Sequence, residues 1–176
     1  MADLNATQGS LLGFLHDGPM TGWDLLQAVE GGLSRFWNIT PSHVYRELRV
    51  LEDRQLVAAG EPGVRDRVPF SLTPAGRAAF AAWIRHRPGA EQIRFPLLLT
   101  LWFGRHLEPA ILAEFVEESR EEHDRRRAFY ETIEQSVGAD DPNRRAVLRF
   151  GIAYERAVLG WLDELHATTI TGRTVD

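Results

Sequence analysis

The chain has 176 residues, enough for one or two small domains with a sizeable core, and its 44% hydrophobic, 26% charged composition is that of a folded soluble protein. It has no cysteine, which excludes disulfides, thiolate nucleophiles and Cys-based zinc or iron–sulfur sites. The net charge of −5 is uneven: residues 1–90 balance nine Arg against nine acids, residues 91–176 set 11 Arg against 16, and no basic residue is Lys.

The N-terminus lacks a basic leader, and its apolar run is broken by His16 and Asp17, so no signal peptide is expected. The longest apolar block, FPLLLTLWF at 95–103, is far short of the roughly 20 residues a membrane span needs. A cytoplasmic protein with no membrane contact is the expectation.

In chain order, TQGSLLGFLH (7–16) reads as a first helix with Leu11, Leu12 and Leu15 on one face. Gly18-Pro19 breaks it, and Thr21 caps a second helix that weakens at Gly31-Gly32. Thr40-Pro41 supplies an N-cap followed by proline at the first helical position, where a missing N–H costs nothing. LVAAG and RVPFSL, separated by EPGVRD, read as a two-stranded hairpin with Arg65 and Arg67 at its tip. Thr73-Pro74 repeats the cap-plus-proline start for a helix running to Pro88-Gly89. Three helices, a hairpin and a helix make the order of a winged helix-turn-helix.

The second half is helical. IRFPLLLTLWFG is apolar over enough of its width to predict burial on most sides. Leu107–Val137 is a long amphipathic helix of roughly 45 Å. Its 4-3 repeat runs through Leu112, Val116, Ser119, His123, Arg126, Tyr130, Ile133 and Val137. After GADDPN, a last helix from about Arg144 to His166 is apolar over too wide an arc for a single neighbour. His123 and Arg126 lie on the inner seam, where polar groups need partners. They either hold an acidic ligand or pair with Glu155 or another carboxylate, and the pairing is the simpler reading.

On a helical wheel of residues 42–55, Val44, Leu48 and Leu51 share the packing side. Ser42, Arg46, Arg49 and Asp53 lie opposite, flanked by His43, Val50 and Tyr45. Hydroxyl, imidazole and guanidinium groups near a helix N-terminus are those that reach phosphates and base edges in a major groove. An amphipathic helix also carries a charged face merely to be solvated. The basic hairpin after it tips the balance, because a wing brings arginines to phosphates or a minor groove. A winged-helix module for protein–protein contacts, without sequence-specific DNA binding, is the alternative.

GWDLLQAVE (22–30), TPSHVYRELRVLEDRQLV (40–57) and RVPFSLTPAGR (67–77) resemble the PadR family of bacterial transcriptional regulators. The resemblance rests on Gly22-Trp23, on Thr40, Pro41, Tyr45, Leu48 and Leu51, and on Leu72, Thr73 and Gly76. FPLLLTLWFG (95–104) is similar to the start of the longer C-terminal domain in one branch of that family.

The resemblance implies a mainly α fold: a winged helix-turn-helix DNA-binding domain over 1–88 and an all-helical dimerisation and effector domain over 89–167; the tail over 168–176 has no core pattern and is expected to be disordered. It implies a homodimer that binds an inverted repeat of double-stranded DNA, acting as a repressor more readily than as an activator. Ser42, His43, Tyr45, Arg46, Arg49, Arg65 and Arg67 are the expected DNA contacts. A small aromatic or amphipathic effector is implied as well, with Phe95, Trp102, Tyr154 and Trp161 as candidate pocket residues; each is also an ordinary core aromatic at helical spacing. The family's wing strand is basic and aromatic where this chain has RVPFSL, so Pro69 is expected at an edge or a bulge. No GxSxG, Walker A, GxGxxG or HExxH motif is present, and His86 and His106 are isolated, so no enzyme, cofactor or metal is expected.

Overall fold

Four helices of the first half begin where the sequence places an oxygen to cap them. In α1 (Ala6–Phe14) and α2 (Gly22–Glu30), Asn5 and Thr21 form reciprocal capping boxes with Gln8 and Asp24. In α3 (Pro41–Asp53) and α4 (Pro74–Trp83), Thr40 and Thr73 cap the helix and proline fills the first turn. These elements come from a computed structural model that describes residues 3–31, 36–37, 39–63, 67–138 and 140–167. The chain divides into two compact units, Met1–Gly89 and Ala90–Asp176.

The core of the first unit gathers Leu11 and Leu12 of α1, Leu25 of α2, and Val44, Leu48 and Leu51 of α3, all fully buried. Each such side chain contributes about 1.5–3 kcal/mol of burial, which is what fixes α3 by the face the wheel assigned to packing. The turn leaving α3 puts Gln55 at φ 56°, a left-handed conformation that side-chain-bearing residues adopt at a cost.

The sheet has three strands rather than the expected two. β1 (Met20–Thr21), β2 (Val57–Ala59) and β3 (Pro69–Leu72) are antiparallel in the order β1-β3-β2. Val57 lies opposite Leu72, and Phe70 lies between Ala59 and Met20. The expectation for Pro69 is corrected accordingly: it is neither on an edge strand nor in a bulge but is the first residue of the central strand, opposite Thr21. A ladder that ends there needs no N–H from it. Its carbonyl still accepts a 2.8 Å bond from Gly60 N–H.

In the signature after the wing, Thr73 Oγ1 donates to the carbonyls of Gln55 and Leu56 at 2.8 and 3.1 Å and accepts from Gly76 N–H at 3.0 Å. A Cβ on Gly76 would overlap the Leu56 carbonyl, so only glycine lets α4 approach so closely.

The second unit comprises α5 (Pro96–Trp102), a 3₁₀ turn (Gly104–His106), α6 (Pro109–Ser136) and α7 (Pro142–Leu165). α6 and α7 are antiparallel: Arg120 pairs with Asp163, Glu131 with Arg156 and Glu134 with Arg149. The 4-3 seam is as expected, with Leu112, Val116, His123, Tyr130 and Val137 buried. It holds two apolar clusters, one around Leu97, Val116, Val158 and Leu162, the other around Tyr130, Val137, Leu148 and Ile152. His123 and Glu155 lie between them in sequence, bonded to each other through Nδ1 and Oε2. Glu155 Oε1 has no hydrogen-bond partner among the described residues. Arg126 pairs with Glu122 at 2.6 Å, so both seam residues have carboxylate partners.

Burial of α5 on most sides is overturned. Leu97 is buried, but Leu99 is 66% and Trp102 80% exposed, because the chain itself covers only one side of this short helix. Phe115, Phe129 and Phe150 are also exposed.

Candidate nucleic-acid interface

α3 presents the candidate residues as its hydrophobic face dictates. With Val44, Leu48 and Leu51 inward, Ser42, Tyr45, Arg46 and Arg49 are exposed and His43 half-buried. Ser42 Oγ lies 3.2 Å from the capping Thr40 Oγ1. The Arg49 side chain makes no hydrogen bond or ion pair among the described residues. Tyr45, half exposed, lays its ring on Gly22, where a Cβ would overlap it. That contact is a physical reason for pairing glycine at the start of α2 with tyrosine on α3.

Arg67 stands where the hairpin end closes, its carbonyl accepting from Gly63 N–H at 2.8 Å, and its guanidinium lies over the Trp23 ring, 4.8 Å from its centroid. Such a cation–π contact contributes about 0.5–1 kcal/mol at an exposed site. Gly22 and Trp23 are consecutive, so Tyr45 and Arg67 both dock on the start of α2. Beside them Asp24 is held below the ordinary carboxylate range, chiefly by the Thr21 backbone N–H and then its hydroxyl, with a smaller effect from the Arg67 charge. Arg65 lies outside the described residues, as does the tail 168–176.

The sequence reading missed Glu47. It is only 6% exposed, on the inner flank of α3, and four side chains converge on it. Gln8 Nε2 donates to Oε2 at 2.8 Å and Asn5 Nδ2 at 3.2 Å. Arg46 donates to Oε1 from Nε at 3.3 Å and from an outer nitrogen at 3.1 Å, and His43 Nε2 lies 3.3 Å from the same oxygen. Arg54 joins the edge of the network through Gln8 Oε1 at 3.1 Å. Burial by itself pushes the Glu47 carboxyl up, but the bonds from Gln8, Asn5 and Arg46 outweigh it and hold it below the ordinary glutamate range. One signal for it was available: position 47 is three residues after Val44 and four before Leu51, within the packing stripe, where a carboxylate demands donors.

The four pocket candidates do not form one lining. Phe95 meets His123 and Trp161 at centroid distances of 5.6 and 5.7 Å, and with Tyr154 these rings flank the Leu97–Leu162 cluster. Trp102 is exposed and apart from that cluster. A surface depression of about 440 Å³ lies elsewhere, between Glu131, Glu134, Gln135, Arg149, Ile152 and Arg156. Among the described residues no three His, Cys, Asp or Glu side chains gather to hold a metal, and no helix is long and apolar enough to cross a membrane.

The PadR-like transcriptional regulator family matches residues 11–82, and the virulence activator alpha C-terminal family matches residues 93–169. The chain belongs to the PadR-like family of DNA-binding transcriptional regulators. The second match puts it in the branch with a long helical C-terminal region. Among relatives of known name, a probable transcriptional regulator of Mycobacterium tuberculosis, Rv1176c, is 27% identical over 165 residues, 82% of this chain and 87% of its own. The negative transcriptional regulator PadR of Bacillus subtilis is 28% identical over 98 residues, 53% of this chain and 54% of its own. The crystal structure of B. subtilis PadR with operator DNA superposes with a TM-score of 0.75 at 20% identity, covering 93% of this chain and 98% of that one. That last likeness is one of fold. Membership in a family of regulators, not enzymes, favours the DNA reading of this PadR-like winged unit over the protein-interaction reading.

Proposed function

We propose that this PadR-like regulator is a homodimeric repressor that binds an inverted-repeat operator and is released by a small aromatic or amphipathic ligand. In this reading residues 1–88 bind DNA and residues 89–167 dimerise and sense the effector. Ser42, His43, Tyr45, Arg46 and Arg49 enter a major groove, while Arg65 and Arg67 reach the backbone beside it. The observation that carries the reading is the outer face of α3, where exposed hydroxyl and guanidinium groups cluster near the helix start above a fully buried Val44–Leu48–Leu51 stripe.

Repression is supported by the relation to a negative regulator, B. subtilis PadR. A dimer is supported by the apolar side chains left exposed on the second unit, Leu99, Trp102 and Phe115 among them. Two recognition helices would then face major grooves roughly 34 Å apart. Ligand release is supported by a crystal structure of B. subtilis PadR with p-coumaric acid, and by the grouping of Phe95, Tyr154 and Trp161 around one cluster.

Selection of the purified protein on a random duplex library, followed by salt titration of the enriched sequence, tests the reading. An inverted repeat with half-sites one turn apart and a steep salt slope is the expected result. Weak binding without enrichment would overturn it. On the enriched duplex Arg46→Ala is expected to cost about 1–3 kcal/mol and to relax specificity. Arg65→Ala should weaken all sequences alike and flatten the salt slope.

A further inference from the structure

Glu47 makes none of the DNA contacts proposed above, yet it is tied to two residues that do. Its two oxygens divide their partners by direction. Oε2 accepts from Gln8 and Asn5, the two residues of the α1 capping box, and so is fixed to the start of another helix. Oε1 faces the reading side and takes Arg46 through two nitrogens, with His43 Nε2 at 3.3 Å. Arg46 nevertheless remains 66% exposed, so its other guanidinium N–H groups stay available to solvent.

We propose that Glu47 is the positioning residue of the reading face: anchored to α1 through Oε2, it holds Arg46 and His43 through Oε1 in an orientation set before DNA arrives. The proposal rests on the assignment of α3 to DNA.

Three physical points carry it. An arginine tied to a carboxylate by Nε and one outer nitrogen has lost most of its freedom to rotate, so little ordering remains to be done on binding. The carboxylate is desolvated and well supplied with donors, so it stays ionised and the bonds to Arg46 stay charge-assisted. Its negative charge also tempers the attraction of Arg46 for any passing phosphate, while leaving a fixed donor edge for one base. Glu47 thereby raises the ratio of operator to non-specific affinity more than it raises affinity itself.

The test uses the full-length protein, the duplex enriched by selection and a scrambled duplex of equal length. Glu47→Gln keeps the shape and one carbonyl oxygen but puts an amide where the Arg46 acceptor was. It is expected to lower the operator-to-scrambled ratio about tenfold while binding to the scrambled duplex is unchanged or stronger. In an Arg46→Ala background the same substitution is expected to have almost no further effect on the ratio. An unchanged ratio in Glu47→Gln, or the same drop with and without Arg46, overturns the proposal. Loss of both bindings together marks a purely structural role and also overturns it.

Arg46→Ala alone separates the underlying reading: if that variant keeps the full ratio, the assignment of α3 fails, whatever Glu47 does. Should Glu47→Gln not fold, nuclear magnetic resonance of the unmodified protein decides. The Arg46 Nε–H is expected to exchange markedly more slowly than that of Arg49, and equal exchange overturns the proposal.

Discussion

Among the described residues each half of the molecule buries one carboxylate, and the two are treated oppositely. Glu47 in the winged unit collects donors from Asn5, Gln8 and Arg46 and sits within reach of His43 at the rim of a polar face. Glu155 in the helical unit is fully buried in an apolar seam, bonded to His123 through one oxygen, with the other unpaired among the described residues. A buried charge ringed by donors can organise a surface. One placed between two leucine-lined clusters mainly forbids alternatives, since any other register of α6 on α7 would set it against apolar side chains.

The largest expected effect breaks that second pair. His123→Leu should destabilise the protein by about 3–5 kcal/mol in calorimetric unfolding, because it strands the Glu155 carboxylate. His123→Leu with Glu155→Leu should recover most of the loss, since a well-packed apolar pair is often neutral against a buried ionic one. If the single variant loses less than 1 kcal/mol, the pair does not hold the seam as described.

An intermediate effect comes from the closest approach in the winged unit. Gly76→Ala forces a methyl onto the Leu56 carbonyl and should cost about 1–3 kcal/mol, without changing the assembly state measured by light scattering.

Acid sharpens the comparison. The folded-state pKa of Glu47 lies below its unfolded value, so its stabilising contribution is present above the ordinary glutamate range and is lost as pH falls through the folded value. Unfolding midpoints measured from neutral pH downward should therefore decline below about pH 4.3, and Glu47→Gln should flatten that decline.

The smallest effect is a gain. Gln55→Gly should stabilise by about 0.5–1 kcal/mol in denaturant titrations, relief of the left-handed backbone being partly offset by the freedom glycine gives the unfolded chain.

What the sequence made legible was whatever depends on near neighbours. The threonine caps, the proline starts, the α3 stripe and the 4-3 seam all follow from spacings of a few residues, and each appears where its spacing puts it. Glu47 escaped because its partners Asn5 and Gln8 lie about 40 residues away on another helix. β1 escaped because two residues beside a Gly-Pro breaker carry no alternation to read, and without β1 the central place of β3 was invisible. α5 was misjudged for a different reason. An apolar face in a sequence records that something covers it, not which chain does.

The Leu56 carbonyl, where Thr73 closes on the end of α3, has an evolutionary consequence. The wing leaves and returns at one peptide, with Thr73 N–H and Oγ1 both bonded to that oxygen. The helices are thereby insulated from whatever length or composition the wing takes. If the wing meets the DNA backbone as proposed, insertions at its tip change that grip while α3 and α4 stay as they are. Under the proposed reading, a lineage of such regulators can thus retune how tightly it holds any duplex by changing one loop, without renegotiating its core.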